Sequence, residues 1–122
     1  MTPEELGEHW REEHSAKGIR ALRPDFYESM ASLVRECRIR CRELTPDSPE
    51  WDAADRLRQS VQTRAKALVE ERAEKICRMA FLSACGGKVS VVRLTDGEKA
   101  LFQQVRDDVA DHLDSVIRRW HA

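Results

Sequence analysis

Aromatic residues are scarce in this chain. Three Trp, three Phe and one Tyr make up 6% of 122 residues, which favours solvated helices over a compact enzyme with a ring-lined pocket. Net charge is nearly absent as well. Twenty-one basic residues face 22 acidic ones, for −1 overall, so no global field draws the chain toward DNA or an anionic membrane. No apolar run approaches the ~20 residues of a membrane span. The N-terminus, Met1-Thr2-Pro3-Glu4-Glu5, is acidic and unlike a signal peptide. These absences predict a soluble cytoplasmic protein. Strand signal is confined to Lys88–Arg93, with Val89, Val91 and Val92. That is too short to build a sheet and reads as an extended connector. Neither an internal repeat nor a low-complexity segment is visible. The length predicts one domain, able to bury roughly two-thirds of its unfolded surface.

Helical signals fill the rest. Thr2 is placed as an N-cap, Pro3 at the first helical position, and Glu5 reaching back to the cap. Leu6 and Trp10 share a face of this first helix, which fades between Ser15 and Gly18. Pro24-Asp25 opens a second helix. Its apolar positions are Phe26, Met30, Leu33, Cys37, Cys41 and Leu44, at spacings of 4, 3, 4, 4 and 3, a sustained helical seam. Thr45-Pro46-Asp47-Ser48-Pro49 breaks it.

A third helix runs from Pro49-Glu50-Trp51 to about Ala84. Ala54, Leu57, Val61, Ala65, Leu68, Ile76, Ala80 and Phe81 supply its stripe. Val69, Met79 and Leu82 widen it, so its later half is expected to be buried on more than one side. Gly86-Gly87 ends it at a left-handed cap. Some 35 residues at 1.5 Å rise give roughly 52 Å, against about 35 Å for the diameter of a compact chain this long. The helix is therefore expected to protrude or to pack on another chain. Thr95-Asp96-Gly97-Glu98 is a second capping box. The fourth helix follows, with Leu101, Phe102, Val105, Val109, Leu113, Val116, Ile117 and Trp120 on one broad face.

Few residues suggest chemistry. The thiols are Cys37, Cys41, Cys77 and Cys85. Zinc sites favour Cys pairs two to four residues apart on a turn, whereas Cys37 and Cys41 lie mid-helix among apolar neighbours. They read as small core residues, reduced and without metal. Cys85 beside Gly86-Gly87 has no identifiable base or oxyanion loop. His9 and His14, five apart, do not form an HExxH pair. His112 and His121 read as surface histidines near a helix C-terminus, where a cation favours the dipole. There is no Walker or Rossmann glycine loop. No catalytic, cofactor or metal site is expected. Arg35, Arg38, Arg42, Arg56, Arg58, Arg64, Arg72 and Arg78 could form a basic strip for nucleic acid. However, Glu36, Glu43, Asp52, Asp55, Glu70, Glu71 and Glu74 are interleaved, which reads as solvated ion-pair ladders.

The order of motifs carries a family resemblance. A short acidic helix precedes Leu22, Pro24, Asp25, Phe26 and Tyr27 in an L-x-P-D-F-Y segment. The long Arg-rich helix ends in K-I-C-R-M-A-F-L-S-A, and Leu94, Thr95 and Glu98 form L-T-x-x-E. Across residues 1 to about 115, the chain resembles the helical A-domain of the archaeal GINS replication factor, in the subunit class that places the A-domain first. The resemblance implies an all-α, four-helix domain and a non-enzymatic scaffold. It also implies tetramers of one subunit type or of two plus two, joining the MCM replicative helicase to a RecJ-like/Cdc45-like partner. The family continues into a small β-rich B-domain; here the chain ends at Trp120-His121-Ala122, and that domain is expected to be absent.

The residues and the resemblance together predict a GINS-like scaffold subunit, with little or no direct binding of nucleic acid. The candidate interface is Met79, Leu82, Leu101, Phe102, Val105, Val109, Leu113, Val116 and Trp120. Phe26 and Met30, expected to be buried at the first turns of the second helix, are counted with them. The competing readings are a nucleic-acid binder using the arginine face and a small metal or thiol enzyme.

Overall fold

The computed structural model describes residues 1–121. Four α-helices are present among them: α1 (Pro3–Ser15), α2 (Phe26–Glu43), α3 (Pro49–Ala84) and α4 (Asp96–Arg118), with a closing 3-10 turn over Arg119–His121. No strand occurs among the described residues. The residues group into two compact units, Met1–Lys17 with Arg23–Glu71, and Gly18–Leu22 with Arg72–Ala122.

Local chemistry sets the helix ends. Thr2 Oγ1 accepts the Glu5 amide at 3.1 Å, with Pro3 supplying the preset φ of a first helical residue. Pro24 and Asp25, expected to open the helix, form a turn instead, and α2 starts at Phe26, two residues after Pro24. Ser48 Oγ accepts the Trp51 amide at 3.1 Å to start α3. The turn before it places Asp47 at φ 65°, a left-handed conformation that Asp tolerates. At the far end, Gly86 N–H bonds to Ser83 C=O and Gly87 N–H to Leu82 C=O, with Gly86 at φ +95°. That pair of bonds is a Schellman motif.

In the first unit, α1, α2 and residues 49–71 of α3 turn their apolar faces inward. Leu6, Phe26, Met30, Leu33, Cys37, Ala54, Val61, Ala65 and Leu68 are buried. The His9 ring meets Phe26 edge-on at 4.9 Å, joining α1 to α2. Arg42 and Cys41 share a cleft with Trp51 and Asp55, while Val34 shares one with Ala65 and Lys66. Moving back along α2 therefore means moving forward along α3, as in an antiparallel helical hairpin. Leu57, assigned to the stripe by spacing, lies at its edge and is exposed; Val69 is exposed too.

The second unit closes around Ile19, Ile76, Ala80, Leu94 and Phe102. Val89 and Val91 pack on this core, whereas Val92 between Val91 and Arg93 is 81% exposed. The extended connector expected over Lys88–Arg93 stops at Val91: Val92 and Arg93 form a turn closed by Leu94 N–H on Val91 C=O at 3.1 Å. The short segment Gly18–Leu22 is held by cations on its backbone. Lys75 Nζ donates to Gly18 C=O at 3.0 Å, Arg93 Nη1 to Ile19 C=O at 3.3 Å, and Arg72 Nη1 to Arg20 C=O at 2.7 Å. The expectation that the later half of α3 is buried on more than one side is not met. Phe81 and Leu82 are 53% and 56% exposed. Of the cysteines, only Cys37 is buried; Cys41 is half-buried, and Cys77 and Cys85 are exposed.

Candidate protein interface

The stripe on α4 begins as core and ends in solvent. Glu98, Phe102, Val105, Val109, Leu113, Val116 and Trp120 recur every three or four residues, so they share one helix face. Glu98 and Phe102 are buried. Val105, Val109, Leu113 and Val116 are half-buried. Trp120 is 72% exposed. The Thr95 box positions this face. Glu98 N–H donates to Thr95 Oγ1 and Thr95 N–H to Glu98 Oε1, at 3.2 and 3.0 Å.

Glu98 also receives Arg72. The pairing of Arg72 with Glu98 and the shared core of Ile76, Ala80 and Phe102 give α3 and α4 the same sense. Past Glu98, α4 continues for about five and a half turns. Past Arg72, α3 continues for little more than three. Exposure along the stripe runs from buried Phe102 through half-buried Val105, Val109, Leu113 and Val116 to exposed Trp120.

Three of the expected interface residues are not on a surface. Phe26, Met30 and Phe102 are buried inside the chain's own cores, since each sits where its helix first meets its neighbours. Met79 is half-buried against the second core. Leu101 and Ile117 flank the α4 stripe and are exposed, as is Leu82.

The basic strip is largely dispersed. Arg72 is fully buried. Arg35 pairs with Glu28 and bonds to Ser32, and Arg78 pairs with Glu74. Arg58 donates to Asp55 Oδ1 through Nε and Nη2 at 3.0 and 2.7 Å, and to Gln62 Oε1 through Nη1 at 2.8 Å. The hydrogen bonds that Arg58 donates to the Asp55 carboxylate raise the Arg58 pKa above its ordinary value, against opposing desolvation. Arg38 and Arg42 have no carboxylate partner among the described residues. Both line a cleft of about 540 Å³ with Cys41, Leu44, Pro46, Trp51, Asp55, Arg58 and Gln62. This cleft was not singled out from the sequence. The signal for it was Arg38 and Arg42 one turn apart, ahead of a proline-rich break and a tryptophan.

The residues weighed for catalysis are dispersed. The His14 ring stacks on Trp10 at 5.0 Å, with Nδ1 3.5 Å from Glu71. His9 packs on Phe26. Burial, with Cys41 and Glu36 nearby, raises the Cys37 thiol pKa; Arg40 opposes this. Among the described residues, no three His, Cys, Asp or Glu side chains converge as metal ligands would. None of the helices described is long and apolar enough to cross a membrane. No family model, curated protein or solved structure matches the chain.

Proposed function

We propose that this chain is a non-enzymatic scaffold subunit of a GINS-like complex, which assembles as a tetramer and links the MCM replicative helicase to a RecJ-like/Cdc45-like partner in DNA replication. The observation that carries this reading is the α4 face, buried at Phe102 and 72% exposed at Trp120. Interfaces of obligate oligomers resemble a core cut in half, and aromatic residues often anchor them. A stripe that leaves its own core and ends on an indole suits that role. The order of sequence motifs, from the L-x-P-D-F-Y segment to the L-T-x-x-E cap, supplies the family side of the reading.

The mechanism is burial of helix on helix, which holds partner proteins in fixed places. No bond is made or broken. Contacts that the family makes through its B-domain are not part of the proposal. A nucleic-acid binder is disfavoured because ion pairs occupy Arg35, Arg58, Arg72 and Arg78. Light scattering on the purified protein tests the reading. A mass several times that of the 14.1 kDa chain is expected, together with co-purification of the helicase. A monodisperse 14 kDa species at micromolar concentration rejects it.

A further inference from the structure

The cleft at the α2–α3 turn is lined by a self-neutralised Asp55–Arg58 pair and by two further arginines. Asp55 Oδ1 takes two bonds from Arg58, and its Oδ2 takes one from Gln59 Nε2 at 2.8 Å. Gln62 occupies the remaining guanidinium edge of Arg58 at 2.8 Å. Asp55 is thereby spent on Arg58, and the two charges cancel. Arg38 and Arg42 lie one turn apart on α2, line the same cleft, and have no counter-charge among the described residues. The same cleft is lined by apolar Leu44, Pro46 and the half-buried indole of Trp51. Two unpaired guanidinium forks beside an apolar shelf match a carboxylate with a hydrophobic neighbour.

We propose that this cleft binds a short acidic peptide segment of a partner protein, with a carboxylate on Arg38 and Arg42 and an adjoining aliphatic or aromatic side chain against Trp51, Leu44 and Pro46. Nucleic acid suits the site less. Glu43 adjoins Arg42, and Glu50 and Asp52 flank Trp51, all exposed. A phosphate chain leaving the cleft would meet these carboxylates, whereas a peptide can present one charge inward. The site lies in the first unit and does not depend on the scaffold reading.

Cys41 lines the cleft and provides the assay. Iodoacetamide labelling, mapped by mass spectrometry, reports access to Cys41, and the exposed Cys77 and Cys85 serve as internal references. The probe is acetyl-Glu-Glu-Leu-Phe-amide; its Gln-Gln counterpart and a short deoxythymidylate oligomer are the comparisons. The acidic peptide is expected to bind and to slow labelling of Cys41 severalfold, with Cys77 and Cys85 unchanged. The neutral peptide should bind at least about tenfold more weakly, as for loss of charge-assisted bonds. Arg38→Gln with Arg42→Gln should abolish protection while the circular dichroism stays native. Because both side chains are exposed, this variant keeps its core. Equal binding of the neutral peptide, protection that survives the double variant, or no protection by the acidic peptide overturns the proposal. Protection by the oligonucleotide alone also overturns it and assigns the cleft to nucleic acid.

Discussion

Arg72 and Glu98 meet through two parallel hydrogen bonds, Nε to Oε2 and Nη2 to Oε1, each 2.7 Å. Arg72 is fully buried and Glu98 nearly so. Such a pair contributes through what its loss leaves behind, an uncompensated charge in a dry site. Glu98→Gln keeps the shape and removes the counter-charge, and is expected to cost about 3–5 kcal/mol. Arg72→Met with Glu98→Leu should cost less than the two single changes added together. Urea titration of the double-mutant cycle checks this; additive losses would mean that the pair is not coupled.

Phe26 is 1% exposed and packs edge-on against His9. Phe26→Ala should destabilise the chain by about 3–5 kcal/mol. A loss below about 1 kcal/mol in denaturant titration would contradict the burial described for the first turn of α2.

Val109 and Leu113 lie on the α4 stripe beyond its buried anchor Phe102. Changing both to Asp places charge where an interface must be dry. If the chain assembles as proposed, the oligomer dissociates and binding of the proposed helicase partner is lost with it. Retention of native mass and native melting temperature would show that this face carries no subunit contact.

Burial raises the Cys37 thiol pKa, so the folded chain holds a proton that the unfolded chain releases first. The stabilisation from this neutral thiol is fully present below the unfolded value, about 8.5. It is lost as pH rises from there through the folded value. Stability should therefore fall above about pH 8.5 more steeply in the parent than in Cys37→Ala, each compared with its own stability at pH 7. Parallel curves from pH 7 to 10 would show that Cys37 makes no contribution.

Helix ends were readable because capping is local. Thr2-Pro3, Ser48-Pro49, Gly86-Gly87 and Thr95 to Glu98 each satisfy terminal backbone groups within a few residues. The Arg72–Glu98 pair and the clamp on Gly18–Arg20 join residues 26 to 74 positions apart, and no local rule pairs them. A trace was nevertheless present. Arg72 stands midway between Leu68 and Ile76 on the α3 stripe, and Glu98 one turn before Phe102 on the α4 stripe. A charge in register with an apolar seam marks a buried polar contact. The exposure of Phe81 and Leu82 was hidden for another reason. Spacing identifies apolar faces but not how far a neighbouring element extends to cover them.

The three cations that fasten Gly18, Ile19 and Arg20 all bind main-chain oxygens. They grip a feature that every amino acid carries. Ile19 adds its side chain to the core, and Gly18 has open space where a Cβ would stand, so position 18 can change in identity while Lys75, Arg93 and Arg72 cannot. The specificity of this fastening is written in the lock rather than in the strap. Related chains should vary at position 18 and hold constant at three cationic positions more than fifty residues downstream.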